Sequence, residues 1–331
     1  MSTSRRVAAL GAATLLACTA SCGGGSSAEP APKAAPATSP RLVEAPAGTV
    51  THVAPKPQGI VYDPGTRTLS VAVHDPDRLL VLDPETLAVE HAVPLPGKAR
   101  HVKLGRPGGP VLVPDETSDR LYEVAPATGR ATSVGVGAHP HDAVETAGGA
   151  VVVGNEFGHE LSVVRGGRVV GTVPGFARPG GLVTDGDVLA ALDDKTFSLT
   201  TYALPSLTRT ARVHGGVGTT HAAATTGHRE VVVDTAAGRV RVFDLDPLRE
   251  VGSTEVGGVP YGIATDRRTA TVWVTLTAEN RLVGLDVSGA RPRVVATYPT
   301  VRQPDTVAVA PGAHTLWVTG TRGDEVERIT R

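Results

Sequence analysis

The chain of 331 residues has only two cysteines, few aromatic residues and almost no excess of charge of either sign. Both cysteines, Cys18 and Cys22, lie near the start of the chain, so a disulfide framework cannot hold the rest together. A formal net charge of −1 lacks the basic excess of a duplex-binding protein, and 2 Trp, 5 Tyr and 4 Phe offer little stacking surface. We therefore expect no nucleic-acid partner. A composition of 40% hydrophobic and 20% charged residues is that of a globular protein.

The first 18 residues read as a leader. Arg5 and Arg6 precede an uncharged apolar run over residues 7–17, which is too short to span a bilayer as a helix. Leu15-Leu16-Ala17-Cys18 follows, and this arrangement resembles a bacterial lipoprotein leader, in which the cysteine is lipidated and becomes the first mature residue. The resemblance implies lipidation of Cys18, with Cys22 after Thr19-Ala20-Ser21 as the alternative. An ordinary secreted protein cleaved nearby is the other interpretation.

Residues 19–40 are rich in Gly, Ser, Ala and Pro and have almost no large apolar side chains. Such a segment cannot bury enough surface to offset the entropy of ordering, which predicts a flexible tether. We therefore expect a domain over residues 41–331 that is held to the cell membrane by a lipid anchor and faces the extracytoplasmic side.

The rest of the chain repeats seven times. Similar segments recur with their second residues separated by 42, 41, 39, 41, 40 and 44 positions. These second residues are Gln58, Arg100, His141, Gly180, His221, Tyr261 and Asp305. A second marker of the Asp77-Arg78-Leu79 type keeps the same spacing, so chance is a poor explanation.

Each repeat contains four short strands separated by turn residues. In the first repeat the pattern predicts strands over Gly59–Asp63, Leu69–His74, Arg78–Asp83 and Val89–Leu95. Four strands in 40–45 residues is typical of a propeller blade. The seventh repeat has room for three strands, and Thr49–Ala54 belongs to no other repeat. We therefore predict an all-β, seven-bladed propeller of four-stranded antiparallel blades, closed by this N-terminal strand.

The sixth and seventh repeats resemble a known family. Pro260–Asp266, Val272–Thr275 and Asn280–Asp286 look like a YVTN-type propeller repeat, and so does Pro304–Ala308 followed by Leu316-Trp317-Val318-Thr319. The resemblance implies the propeller fold and a secreted or periplasmic location. It implies no activity, because one propeller scaffold carries many functions.

Polar residues of different repeats should gather at one end of the channel. In a four-stranded antiparallel blade, the start of the first strand and the loop after the second strand lie on the same face. Those loops carry His, Asp and Glu, among them Glu116 and Asp194. We predict that a ligand binds at this channel mouth through residues at the strand starts, namely Gln58, Arg100, His101, His141, Asp142, His221, Tyr261 and Asp305.

The same face could hold a divalent metal such as Zn²⁺, because neutral imidazole with a carboxylate suits this ion. The candidate ligands are His139, His141, Glu156, His159 and His221. A mouth that binds its ligand without metal and a merely solvated polar rim are the alternatives, and the spacing does not decide among the three.

No catalytic residue is assigned. The chain has no Gly-x-Ser-x-Gly motif, and neither cysteine falls in the predicted domain. The sequence therefore favours a non-catalytic, membrane-anchored propeller that binds a small ligand, a metal ion or an envelope protein at its mouth. A metal-dependent lyase or lactone hydrolase using the same face and a pure protein-interaction scaffold are the alternatives. We expect a monomer.

Overall fold

The computed structural model describes Met1 and residues 34–312 and 314–331. The predicted leader and both candidate lipidation cysteines therefore lie outside the described residues, as does most of the predicted tether. Among the described residues, no helix is long and apolar enough to cross a membrane.

Within those residues the chain forms 28 strands in seven four-stranded antiparallel sheets, which confirms the predicted propeller. Blade 1 contains β2 (Ile60–Asp63), β3 (Thr68–Val73), β4 (Arg78–Leu82) and β5 (Val89–Pro94). Blade 2 contains β6 (Lys103–Leu104), β7 (Val111–Asp115), β8 (Arg120–Ala125) and β9 (Arg130–Gly135). Blade 3 contains β10 (Pro140–Glu145), β11 (Val151–Asn155), β12 (Glu160–Arg165) and β13 (Arg168–Pro174). Blade 4 contains β14 (Pro179–Asp185), β15 (Val188–Asp193), β16 (Ser198–Ala203) and β17 (Thr208–His214).

The remaining three blades follow the same order. Blade 5 contains β18 (Thr219–Thr225), β19 (Arg229–Asp234), β20 (Arg239–Leu245) and β21 (Leu248–Glu255). Blade 6 contains β22 (Pro260–Asp266), β23 (Thr271–Leu276), β24 (Arg281–Asp286) and β25 (Arg293–Pro299). Blade 7 contains β26 (Pro304–Val309), β27 (Thr315–Gly320), β28 (Glu325–Thr330) and, as its outer strand, β1 (Thr49–His52). The first strands of neighbouring blades contact one another, so they line the central channel.

The two chain ends share blade 7, as predicted. β1 pairs antiparallel with β28, from Thr49 opposite Arg328 to His52 opposite Glu325. The buried carboxylate of Glu327 adds a clasp at this closure. It accepts hydrogen bonds from the backbone amides of Gly48 (2.7 Å) and Val301 (3.0 Å).

The core is divided among the spaces between blades, and each of the seven interfaces in the described chain has its own apolar cluster. Neighbouring valines of one strand serve opposite interfaces. In β19, Val232 packs toward blade 4 while Val231 and Val233 pack toward blade 6. This division explains why the second strands are nearly continuous valine runs rather than alternating ones.

A short stretch before β1, residues 37–40, lies across blades 6 and 7 and is called the N-terminal strap here. The amide of Ala37 donates to Thr277 Oγ1 (2.9 Å), and Ser39 N donates to Gln303 Oε1 (2.9 Å). The carbonyl of Pro40 accepts from Asn280 Nδ2 (3.1 Å). Two partners of the strap, Thr277 and Asn280, follow the second strand of blade 6, and the third, Gln303, precedes the first strand of blade 7. The strap therefore lies at the mouth end of the propeller.

Candidate functional site

Acidic side chains of blades 2, 3 and 4 are fixed at the channel mouth by equivalent backbone bonds. The amides of Glu116, Glu156 and Asp194 each donate to a carbonyl just before the first strand of their own blade, at 2.8 Å in all three cases. Each acid follows a buried Asp or Asn that ends the second strand. In blades 2 and 4 that Asp also accepts hydrogen bonds from turn amides, which holds the loop in shape.

These acids bind basic residues from the strand starts, and the group is called the mouth cluster here. It consists of Arg100, Glu116, His139, His141, Glu156, Arg178 and Asp194. Arg100 Nε lies 2.8 and 3.0 Å from the two oxygens of Glu116, and His141 Nδ1 lies 3.1 Å from Glu116 Oε1. Arg178 Nε lies 3.3 Å and His139 Nδ1 3.1 Å from oxygens of Glu156.

Burial and pairing set the charges of the cluster. Burial lowers the pKa of the His141 imidazole, but the hydrogen bond to Glu116 and the surrounding carboxylates outweigh it, so this pKa is raised. Burial opposes ionisation of Glu116, yet the hydrogen bond with His141 and the charge of Arg100 leave its pKa lowered. The geometry thus favours an imidazolium–carboxylate pair at these two residues.

Asp194 is the exception among the three acids. Burial raises its pKa to about 8, and its Oδ1 is buried without a hydrogen-bond partner. A glycine makes room for this carboxyl group, because a Cβ atom built on Gly180 would lie only 2.0 Å from Asp194 Oδ2. In blade 4 the acid of the blade's own loop therefore occupies the space that a side chain at the start of the first strand would fill.

A row of aromatic rings crosses the channel beneath the mouth cluster. The ring centroids of His141 and His101 are 4.5 Å apart, those of His101 and His221 are 4.7 Å apart, and those of His221 and Tyr261 are 4.5 Å apart. Burial lowers the pKa of His101 well below its usual value and that of His221 to about 3, so both imidazoles are neutral.

Strand pairing corrects the predicted alignment of blade 5. His221 pairs with Val233, the position at which Asp142 of blade 3 pairs with Gly154. Thr220 therefore stands where the sequence alignment placed His221, and its hydroxyl lies 2.6 Å from that of Thr235. Thr219 stands where blade 3 has Pro140, and the lack of this leading proline hides the one-residue shift in the sequence.

The other predicted residues are spread over different surroundings. Gln58 Oε1 lies 2.7 Å from His74 Nε2 in blade 1, and Asp305 is buried, which raises its pKa to about 7. Asp142 Oδ2 accepts from Lys103 Nζ (2.6 Å) and lies on the channel side. His159 is exposed, and its Nδ1 lies 2.8 Å from the carbonyl of Ala177.

The predicted metal ligands are only partly brought together. His139, His141 and Glu156 are neighbours in the mouth cluster, whereas His221 lies in the ring row and His159 faces a backbone carbonyl. In the described part of the chain, no three His, Cys, Asp or Glu side chains form a group that could hold a metal ion. The metal site stays a prediction.

Sequence reasoning left three members of the cluster outside the predicted site, namely Glu116, Arg178 and Asp194. The repeat does place all three on the mouth face. What singles out Asp194 in the sequence is Gly180, the only glycine among the seven second residues.

Comparisons with known proteins show the fold alone. No protein-family profile and no curated protein matches this chain. A solved structure of hydrazine synthase from Kuenenia stuttgartiensis covers 85% of this chain and 98% of its own, with a TM-score of 0.72 and 17% identity. Virginiamycin B lyase from Staphylococcus aureus covers 86% of this chain and 98% of its own, with a TM-score of 0.72 and 12% identity. A further streptogramin B lyase structure has a TM-score of 0.71, 10% identity and coverage of 86% and 96%.

Proposed function

We propose that this protein is a lipid-anchored extracytoplasmic propeller of the YVTN type that binds a small organic anion at its mouth cluster. The observation that carries the proposal is the arrangement of two arginines. Arg100 and Arg178 have side chains 40% and 41% exposed, and each is held at Nε by a glutamate that is nearly buried. Within the described residues, the terminal guanidinium nitrogens of both make no hydrogen bond to protein.

Such arginines are prepared to bind an oxyanion. A guanidinium held at Nε keeps its planar fork oriented, so less entropy is lost when its outer N–H groups bind a carboxylate. The two glutamates balance the two arginines, and burial raises the pKa of Asp194 to about 8, which favours its neutral form near pH 7. The resting cluster therefore has no excess negative charge to repel an anion.

An exposed aromatic ring beside the arginines favours an anion with an aromatic or apolar part. Phe157 is 52% exposed, the Arg178 guanidinium lies 5.7 Å from its ring centroid, and the His139 ring lies 4.3 Å away. A large exposed Phe is unusual on a chain with so few aromatics. It offers a surface on which a planar ligand can stack.

The test compares an acid with its uncharged amide. We expect benzoate to bind the purified full chain in calorimetric titration and benzamide to bind at least tenfold more weakly. Arg178→Gln should weaken benzoate binding about tenfold or more, since one charge-assisted hydrogen bond contributes about 1.5–3 kcal/mol. Arg209→Gln, on the exposed outer strand of blade 4, is the matched control. Equal affinity for acid and amide, or an unchanged Arg178→Gln variant, would contradict the proposal.

The anchor is tested separately. Mass spectrometry of the mature protein should find a diacylglycerol-modified N-terminal cysteine, with the adduct lost in Cys18→Ala and kept in Cys22→Ala. The reverse pattern would show that Cys22 is the lipidated residue. An unmodified soluble product from the parent and from both variants would contradict the proposed lipid anchor.

A further inference from the structure

The central channel contains a cavity of about 550 Å³ on the far side of the ring row. Its inner end is formed by His101, His141 and His221. Its outer rim contains Pro64, Pro107 and Pro311, which lie in turns between the first and second strands of their blades. Because those turns lie at the end of the propeller opposite the mouth, the cavity and the mouth cluster are two separate spaces.

The walls of this cavity are mostly apolar. The innermost strands of blades 1, 2, 5, 6 and 7 contribute aliphatic side chains, among them Val61, Leu104, Ala223, Ile263 and Val309, and all five are only half-buried. The aliphatic side chains of the second strands are covered by the neighbouring blades. Those of the innermost strands leave part of their surface to the cavity, whose size lies in the range of pockets for small organic molecules.

Several polar groups of the wall have hydrogen-bonding capacity to spare. Within the described residues, His101 Nε2 and both ring nitrogens of His221 have no partner, and Lys103 has a donor left. Lys103 Nζ donates to Asp142 Oδ2 (2.6 Å) and to the carbonyl of Leu182 (2.6 Å), and an ammonium group has a third donor. Asp142 also accepts from the amides of Leu182 and Ala143, so its own capacity is largely used. The Lys103–Asp142 pair is neutral as a unit.

The charges in the cavity therefore do not favour an ion. The imidazoles of His101 and His221 are neutral, and the charges of Lys103 and His141 are matched by Asp142 and Glu116. Arg267 and Arg268 are exposed at the outer rim, where Arg267 pairs with Asp185. Moving a small ion from water onto aliphatic walls has a large desolvation cost that a neutral pair would not offset. A neutral molecule with an apolar body avoids this cost.

We infer that this cavity is a second binding site, for a neutral and largely apolar small molecule that carries one carbonyl or hydroxyl oxygen. The apolar body replaces water along the aliphatic walls, and the oxygen accepts the third hydrogen bond of Lys103. This site and the anion site at the mouth lie on opposite sides of the ring row, and of the mouth cluster only His141 also lines the cavity.

The test uses Nile red, a neutral dye with a carbonyl group whose fluorescence rises and shifts to the blue on leaving water. Titration into the purified full chain should give a saturable signal with one dye bound. Ala223→Phe, which fills the cavity from the innermost strand of blade 5, should remove the signal while the thermal unfolding transition is kept. Arg178→Gln in the mouth cluster should bind the dye as the parent does.

The lysine is tested by comparing two variants. In Asp142→Asn one amide oxygen replaces two carboxylate oxygens, so one backbone amide loses its acceptor and Lys103 keeps its charge and donor without its partner. The double variant Lys103→Met/Asp142→Asn then removes that charge and donor. We expect the double variant to bind Nile red about five- to tenfold more weakly than Asp142→Asn alone. A linear, unsaturable signal, or a folded Ala223→Phe variant with the parent's affinity, would show a cavity that holds water only. Equal affinity of the single and double variants would remove the lysine from the site.

Discussion

Replacing Glu230 by Gln should stabilise this protein at neutral pH and reduce the dependence of its stability on pH. Glu230 is fully buried on β19, and neither carboxyl oxygen has a hydrogen-bond partner among the described residues. It lies on the same face of its strand as Val232, between blades 4 and 5. Burial raises its pKa from 4.5 to about 8.

The magnitude follows from the two pKa values. At pH 7 the unfolded chain has released this proton and the native chain keeps it. The free energy of unfolding therefore falls by 1.36 kcal/mol for each of the about 2.5 pH units between the unfolded pKa of 4.5 and pH 7, which is about 3 kcal/mol relative to pH 4. Because the native pKa is the higher one, the contribution lowers stability as pH rises from about 4.5 to 8 and is constant above that.

The assay is urea unfolding at several pH values between 4 and 8, followed by tryptophan fluorescence. Between pH 4 and pH 7, the parent should lose about 3 kcal/mol more unfolding free energy than Glu230→Gln does. Glu90→Gln, on an exposed strand of blade 1, is the matched control and should follow the parent. Parallel pH profiles for the parent and Glu230→Gln would mean that Glu230 is ionised or hydrated in the folded protein, and the reasoning from burial would be wrong.

Two further changes test the closure and the mouth. Glu327→Ala leaves two buried backbone amides without an acceptor, so urea unfolding should show a loss of about 2–4 kcal/mol, whereas Glu325→Ala on the same strand should lose less than 1 kcal/mol. A loss of unfolding free energy no larger than that of Glu325→Ala would show that Glu327 does not stabilise the closure. As pH rises from 6 to 9, His141 loses positive charge and Asp194, whose pKa burial raises to about 8, gains negative charge, so benzoate affinity should fall. The fall should be smaller in His141→Gln and in Asp194→Asn. An unchanged slope in both variants would assign the effect elsewhere.

The fold could be predicted from the sequence because each blade repeats one local pattern. Valine-rich second strands, turn residues and the marker at each third strand recur together, so the number of blades and the missing outer strand both follow. The bounds of β1 and of the four strands in blade 1 differ from the prediction by at most two residues. The misalignment of blade 5 came from its missing leading proline, because Thr219 takes the place that Pro140 has in blade 3 and nothing in the sequence marks it.

The candidate site was less predictable because it depends on distances between blades. The repeat places His159 on the same loop as Glu156, but a positive φ of 59° turns its backbone, and its ring meets a carbonyl instead. The pair of Lys103 and Asp142 joins two blades, and no spacing in the sequence predicts it. Such contacts depend on side-chain conformations that a one-dimensional pattern does not contain.

The N-terminal strap has a mechanical consequence for any protein held from its N-terminal side. A force applied along the chain from that side reaches Ala37 and Ser39 first. There Gln303 accepts a hydrogen bond from the amide of Ser39 and donates one to the carbonyl of Ala37. Only after these contacts peel away does tension reach β1 and the ladder that joins it to β28. The strap thus protects the pairing of β1 with β28 from applied force. Its hydrogen bonds would break, and the chain would lengthen, before any blade unfolds.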